Sequence, residues 1–104
     1  MKIWLDDIRS APEGWVHVRT AEEAIDLLGR TPDVEEISLD HDLGEPLDEF
    51  GSGQGVVNTL ERWQAYGEDK FVPKKISIHS ANPVGRKNMQ AAIDSIERMR
   101  NDQV

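Results

Sequence analysis

The feature that constrains this chain most is the alternation of short β-prone runs with segments of helical spacing. Residues 2–5 (Lys-Ile-Trp-Leu) are apolar and stop at Asp6 and Asp7, and residues 15–18 (Trp-Val-His-Val) alternate. Residues 36–43 place Ile37 and Leu39 on one side and carry Asp40, His41 and Asp42 at their end, and residues 75–79 run into Ser80, Ala81 and Asn82. Short runs of β-branched and aromatic residues that end in polar ones read as strands.

Helical signals separate them. Thr20 and Glu23 form a capping box ahead of Ala24, Ile25, Leu27 and Leu28, with Gly29 as the residue after the last turn and Pro32 as the stop. A second helix is expected from about Gln54 to Tyr66, with Val56, Val57, Leu60, Trp63 and Tyr66 on its apolar face. Asn82 and Pro83 supply an N-cap and a first-turn proline for a third, in which Met89, Ala92, Ile93, Ile96 and Met99 recur at helical spacing. Strands alternating with helices imply βαβ units, right-handed crossovers and an α/β domain with a mostly parallel, four-stranded sheet. The first connection is the anomaly, because residues 8–14 are too few for a helical crossover. Either an extended crossing joins parallel strands or the second strand is peripheral; the parallel arrangement is expected.

The 104 residues suit one domain spanning 1–104. Twenty Asp and Glu against 12 Lys and Arg give a formal charge of -8, the wrong sign for a protein that coats duplex nucleic acid. There is no cysteine, so thiol chemistry, disulfides and zinc–thiolate sites are excluded. No run is apolar enough to span a bilayer, and acids stand where a signal peptide would be apolar, so a cytoplasmic protein without a membrane partner is expected. Oligomeric state is not encoded in any visible pattern.

In open parallel sheets, ligands bind outside the carboxyl ends of the strands. Three of the strands end in Asp6-Asp7-Ile8-Arg9, Asp40-His41-Asp42 and His79-Ser80-Ala81-Asn82, which a parallel sheet would bring to one rim. Each cluster alone also fits a turn or a solvated strand end. Together, crowded carboxylates repel unless a cation lies between them, so Asp6, Asp7, Asp40 and Asp42 are candidate ligands for Mg²⁺ or Mn²⁺. His41 and His79 are candidate acid and base, since imidazole titrates near neutrality. Ser80, Asn82, Arg9 and Arg86 are candidate phosphate binders around a helix N-terminus. His17 reads as a surface or packing residue. Gly51, Gly53 and Gly55 read as a flexible loop before a helix and lack the context of a dinucleotide fingerprint.

These residues resemble a known pattern. The acid pair after the first strand, the run Val-Arg-Thr-Ala-Glu-Glu-Ala over residues 18–24 and the Asp at the third strand's end are similar to response-regulator receivers. The combination of Leu-Asp-Asp-Ile-Arg (5–9), Ser-Leu-Asp-His-Asp-Leu-Gly (38–44) and Ile-His-Ser-Ala-Asn-Pro-Val-Gly (78–85), followed by Met89, resembles the cyclic-phosphate-processing receiver-like family of bacteria and phages. That resemblance covers nearly the whole chain. It implies a small three-layer α/β/α, flavodoxin-like fold; the sequence departs from ordinary receivers in that neither their first helix nor a fifth strand with its lysine is expected, which makes the fold truncated. It further implies a metal-dependent phosphoesterase, with RNA-repair associations, acting on a cyclic phosphate of a nucleotide or RNA end. In that scheme Asp40 is also catalytic, and an aspartyl-phosphate at Asp40 or Asp42 is a further route. The alternative is a non-catalytic receiver-type phosphoacceptor or nucleotide-binding signalling module.

Overall fold

The computed structural model describes residues 1–41, 52–67 and 70–102. Asp42 and Gly51 lie outside the described residues, so their expected roles have no structural counterpart here. The elements run β1 (Lys2–Leu5), β2 (Val16–Val18), α1 (Ala21–Arg30), β3 (Glu36–Leu39), α2 (Gly53–Tyr66), β4 (Lys75–Ile78) and α3 (Pro83–Asp102). All strand pairs are parallel, in the order β2-β1-β3-β4.

Register sorts the strand residues into two faces. Ile3, Ile37 and Ile76 align, as do Leu5, Leu39 and Ile78, and these rows join one core cluster with residues of all three helices. The intervening rows, Lys2–Glu36–Lys75 and Trp4–Ser38–Ser77, point the other way. Helix α2 packs against both α1 and α3, which places the three helices side by side. Right-handed crossovers that advance in one direction across a sheet give the same result. The α/β class and the parallel sheet are as expected. Of the expected helix–sheet–helix layering, the described residues supply one helical layer, because no helix joins β1 to β2. The second face of the sheet carries no described helix.

That first connection resolves the ambiguity in the sequence. Strand β2 is both parallel to β1 and at the sheet edge. Gly14, at φ 88°, takes the left-handed turn that leads into Trp15, whose amide donates to the Pro12 carbonyl at 3.1 Å. The loop thus returns to the edge without a helix.

The helix ends show where local signals hold and where packing overrides them. Thr20 Oγ1 accepts from the Glu23 amide at 3.1 Å, as the capping box requires. Helix α1 continues through Gly29 to Arg30, where Gly29 was expected to terminate it. Gly29 is instead a helical position facing Trp63, where a Cβ would make an ordinary contact at 3.8 Å from the ring. In α2, Val56, Val57 and Leu60 are buried, but Tyr66 is 85% exposed, so it does not extend the apolar face. Gly53 and Gly55 are buried in the first turn of α2 and are not loop residues. In α3, Met89, Ala92, Ile93 and Ile96 are buried, and Met99 packs at the margin. Arg100 donates to the carbonyls of Val72, Pro73 and Lys74, tying the last turns of α3 to the segment before β4. No described helix is long and apolar enough to cross a membrane.

Candidate functional site

The strand register continues past the last paired residues. Leu5, Leu39 and Ile78 are aligned neighbours, so the next residues, Asp6, Asp40 and His79, stand side by side at the carboxyl edge. The backbone confirms the continuation: the amides of Asp40 and His79 donate to the carbonyls of Leu5 and Leu39 at 3.1 and 3.0 Å. One donor atom from each of the three side chains lies within 4.8 Å of the others.

Asp6 is 1% exposed and densely contacted. Its Oδ1 accepts from the amides of Ile8 and Arg9, both at 2.8 Å, and its Oδ2 lies 3.1 Å from His79 Nε2. Burial by itself raises the pKa of this carboxyl, but the two amides and His79 outweigh it, and the net result lies below the usual carboxylate value. Asp40 is shifted the other way. Burial and the nearby Asp6 charge raise it, against smaller opposing contributions from His79, the His41 amide and the Ser80 hydroxyl. An ion-free Asp6–Asp40 pair therefore resists full ionisation, which a bound cation would relieve.

His79 is held on three sides. Its ring stacks on Trp4, with centroids 3.7 Å apart and planes 5° from parallel. Its Nδ1 is 2.7 Å from Ser38 Oγ, and its Nε2 faces Asp6. Burial lowers its pKa below the ordinary imidazole value, and the Asp6 charge only partly offsets this. At neutral pH the pair is therefore an ionised Asp6 beside a neutral His79. Nε2–H then donates to Asp6 and the Ser38 hydroxyl donates to Nδ1. The opposite tautomer, with Nδ1–H donating to Ser38 Oγ, sets an unprotonated Nε2 against the ionised Asp6 oxygen and so requires a proton or an ion between them.

The lowered pKa has a consequence for stability. The folded state favours neutral His79, so this contribution is fully present above the unfolded value of about 6.5 and is lost as pH falls through the lower folded value. Asp6 acts in the same sense but in the carboxylate range, and Asp40 in the opposite sense there. The melting temperature of the wild type is therefore expected to fall between pH 7 and pH 5 more steeply than that of His79→Gln. Parallel curves for the two proteins would contradict this account.

The remaining sequence candidates take different places. Asp7 is half-buried, its carbonyl accepts from Arg19, and it does not join the trio of Asp6, Asp40 and His79. The ring of His41 packs over Gly85 at the start of α3, where a Cβ would come within 2.5 Å of it. Ser80 is 3% exposed; its Oγ accepts from the Asn82 amide at 3.1 Å, and its hydroxyl supports Asp40. Asn82 Oδ1 caps α3 by accepting from the Gly85 amide at 3.0 Å. Arg9 and Arg86 both donate to carbonyls at the end of β4, those of His79 and Ser80, at 3.4 and 3.0 Å. Ser38 and Trp4 are the site residues that sequence reading missed. His17 is a third, because its Nε2 lies 2.7 Å from the Asp6 carbonyl oxygen and steadies that loop.

The two carboxylates and one imidazole form a donor set that suits a divalent ion of hard or borderline character. The model of the cyclic-phosphate processing receiver domain matches residues 1–95. The chain belongs to this family. Neither the curated proteins nor the solved structures gave a significant match. The family assignment makes this a receiver domain of cyclic-phosphate processing, with Asp6, Asp40 and His79 at the carboxyl edge where a parallel sheet places ligands.

Proposed function

We propose that this receiver domain is a divalent-metal-dependent phosphoesterase that opens a cyclic phosphate, such as a 2′,3′-cyclic nucleotide or an RNA end. The observation that carries the reading is the convergence of Asp6, Asp40 and His79 within 4.8 Å at three neighbouring strand ends. Asp6 and Asp40 would hold Mg²⁺ or Mn²⁺, with His79 Nε2 beside them. When bound, such an ion polarises a phosphoryl oxygen and acidifies water.

The chain's own residues supply the rest. Hydrolysis adds water across one ester bond: a water oxygen bonds to phosphorus, the bond to one ring oxygen breaks, and that oxygen takes up a proton. His79 is the proton carrier, because burial keeps it neutral and so free to accept a proton, and the Ser38 hydroxyl supports its ring in either protonation pattern. His41, next to Asp40, is the second imidazole available to this rim. Arg9, at the end of β4, offers charge to a non-bridging phosphate oxygen. Ser80 and Asn82 act by holding Asp40 and the start of α3 in place.

The test is a panel of 2′,3′-cyclic nucleotides incubated with purified protein and either Mg²⁺ or Mn²⁺. Ring opening is expected, and His79→Ala should lower kcat by about 100-fold or more, the scale of a lost general acid or base. If no cyclic phosphate is opened with either metal while acetyl phosphate labels Asp40, the signalling-module reading replaces this one.

A further inference from the structure

We propose that the sheet face with no described helix binds a nucleobase in the corner formed by Trp4 and Trp15, next to Asp6, Asp40 and His79. This names the base-bearing part of the substrate and rests on the phosphoesterase reading above. Trp4 and Trp15 are both only half-buried, and they lie on the face opposite the core. Their centroids are 5.9 Å apart and their planes meet at 81°, so they make two walls of a corner. A flat heteroaromatic ring stacks on one wall and turns its edge to the other.

The corner is organised in advance. Trp4 is fixed by its stack on His79 and by Nε1–H donation to the Arg9 carbonyl at 3.3 Å. It is also continuous with the site, since the ring that backs Trp4 is the one that faces Asp6. Trp4 and Asp6 are two residues apart on the same strand face, about 7 Å along the chain. That is the scale of a ribose, so a nucleotide with its phosphate at the strand ends would carry its base back over the tryptophans. Lys2 Nζ lies over the Trp15 ring, 5.6 Å from its centroid, and Arg9 donates to the His79 carbonyl, so both tryptophans have a cation nearby that suits an anionic ligand. The surrounding rows contain Lys2, Glu36, Lys75 and Ser77, a water-facing composition that argues against burial under a protein partner.

The experiment uses the full chain carrying Trp63→Phe, so that fluorescence reports Trp4 and Trp15. The protein is titrated with 3′-AMP and with ribose 5-phosphate, and circular dichroism checks the fold of each variant. We expect saturable quenching by 3′-AMP, at least about 10-fold tighter than ribose 5-phosphate, and loss of that advantage in Trp15→Leu but not in Trp15→Phe. Equal affinity for the two ligands, or an undiminished preference for 3′-AMP in folded Trp15→Leu, would overturn the inference. Failure of the two readings is distinguishable. Base-dependent quenching without hydrolysis of any cyclic phosphate leaves the base site standing and removes the enzyme. Equal kcat/KM for cyclic phosphates with and without a base leaves the enzyme and removes the base site.

Discussion

Gly53→Ala is expected to lower the melting temperature by roughly 10 °C. The reason is the contact between the start of α2 and the end of β3. The Gly53 amide donates to the His41 carbonyl at 3.2 Å, and an added Cβ would fall 2.1 Å from the Asp40 carbonyl oxygen and 3.0 Å from Met89 Cε. Backbone oxygen cannot swing aside, so either α2 or the end of β3 must shift. Alanine's advantage over glycine in a helix, about 0.5–1 kcal/mol, is smaller than an overpacking cost of about 1–3 kcal/mol. Gly85 makes an informative contrast. A Cβ there would meet the His41 ring at 2.5 Å, but a side chain can rotate away, so Gly85→Ala should cost less stability while displacing His41. Thermal denaturation of both variants checks the order; a Gly53→Ala protein as stable as the wild type would contradict the described packing.

Asp40→Asn is expected to separate stability from function. Asp40 ionises against burial and against the charge of Asp6. Because its pKa is raised, the ion-free protein loses stability as pH climbs through that value. An isosteric amide removes the loss and keeps the shape, so Asp40→Asn should melt at or above the wild-type temperature without metal. It should also lose Mn²⁺ affinity on the order of 100-fold or more, beyond the roughly 10–100-fold typical of an outer-shell partner, and lose turnover with it. Thermal shift with and without Mn²⁺ reads both effects. A variant that is less stable without metal yet still stabilised by Mn²⁺ would show that Asp40 is structural and not a ligand.

Much of this was legible in the sequence because it is local. The Thr20 and Asn82 caps lie three residues from the amides they satisfy, and Asp6, Asp40 and His79 each follow immediately after a strand. A parallel sheet then does the rest, since residues that end aligned strands must end together. What was not legible depends on partners distant in the chain. Ser38 looks like any polar residue inside a strand, and its contact with His79 spans 41 positions. The two-residue period was its one available sign, because Ser38 shares a face with Asp40. Trp4 and His17 were hidden in the same way, one as a strand residue and one as a surface residue. Gly29 and Gly53 read as a helix end and a loop by propensity, yet both lie within helices; tight packing against the Asp40 backbone explains Gly53, while a Cβ at Gly29 would make only ordinary contact with Trp63. Asp7 illustrates the converse: of two adjacent acids after a strand, only Asp6 joins Asp40 and His79.

The most direct test of the central claim is a crystal structure of the Mn²⁺-soaked protein, read by anomalous diffraction. A single strong peak is expected at the carboxyl edge, within bonding distance of the Asp6 and Asp40 carboxylates, with the His79 ring beside it and Nδ1 still on Ser38. A peak elsewhere, or no peak in this crevice with His79 turned away from it, would contradict the proposed metal centre.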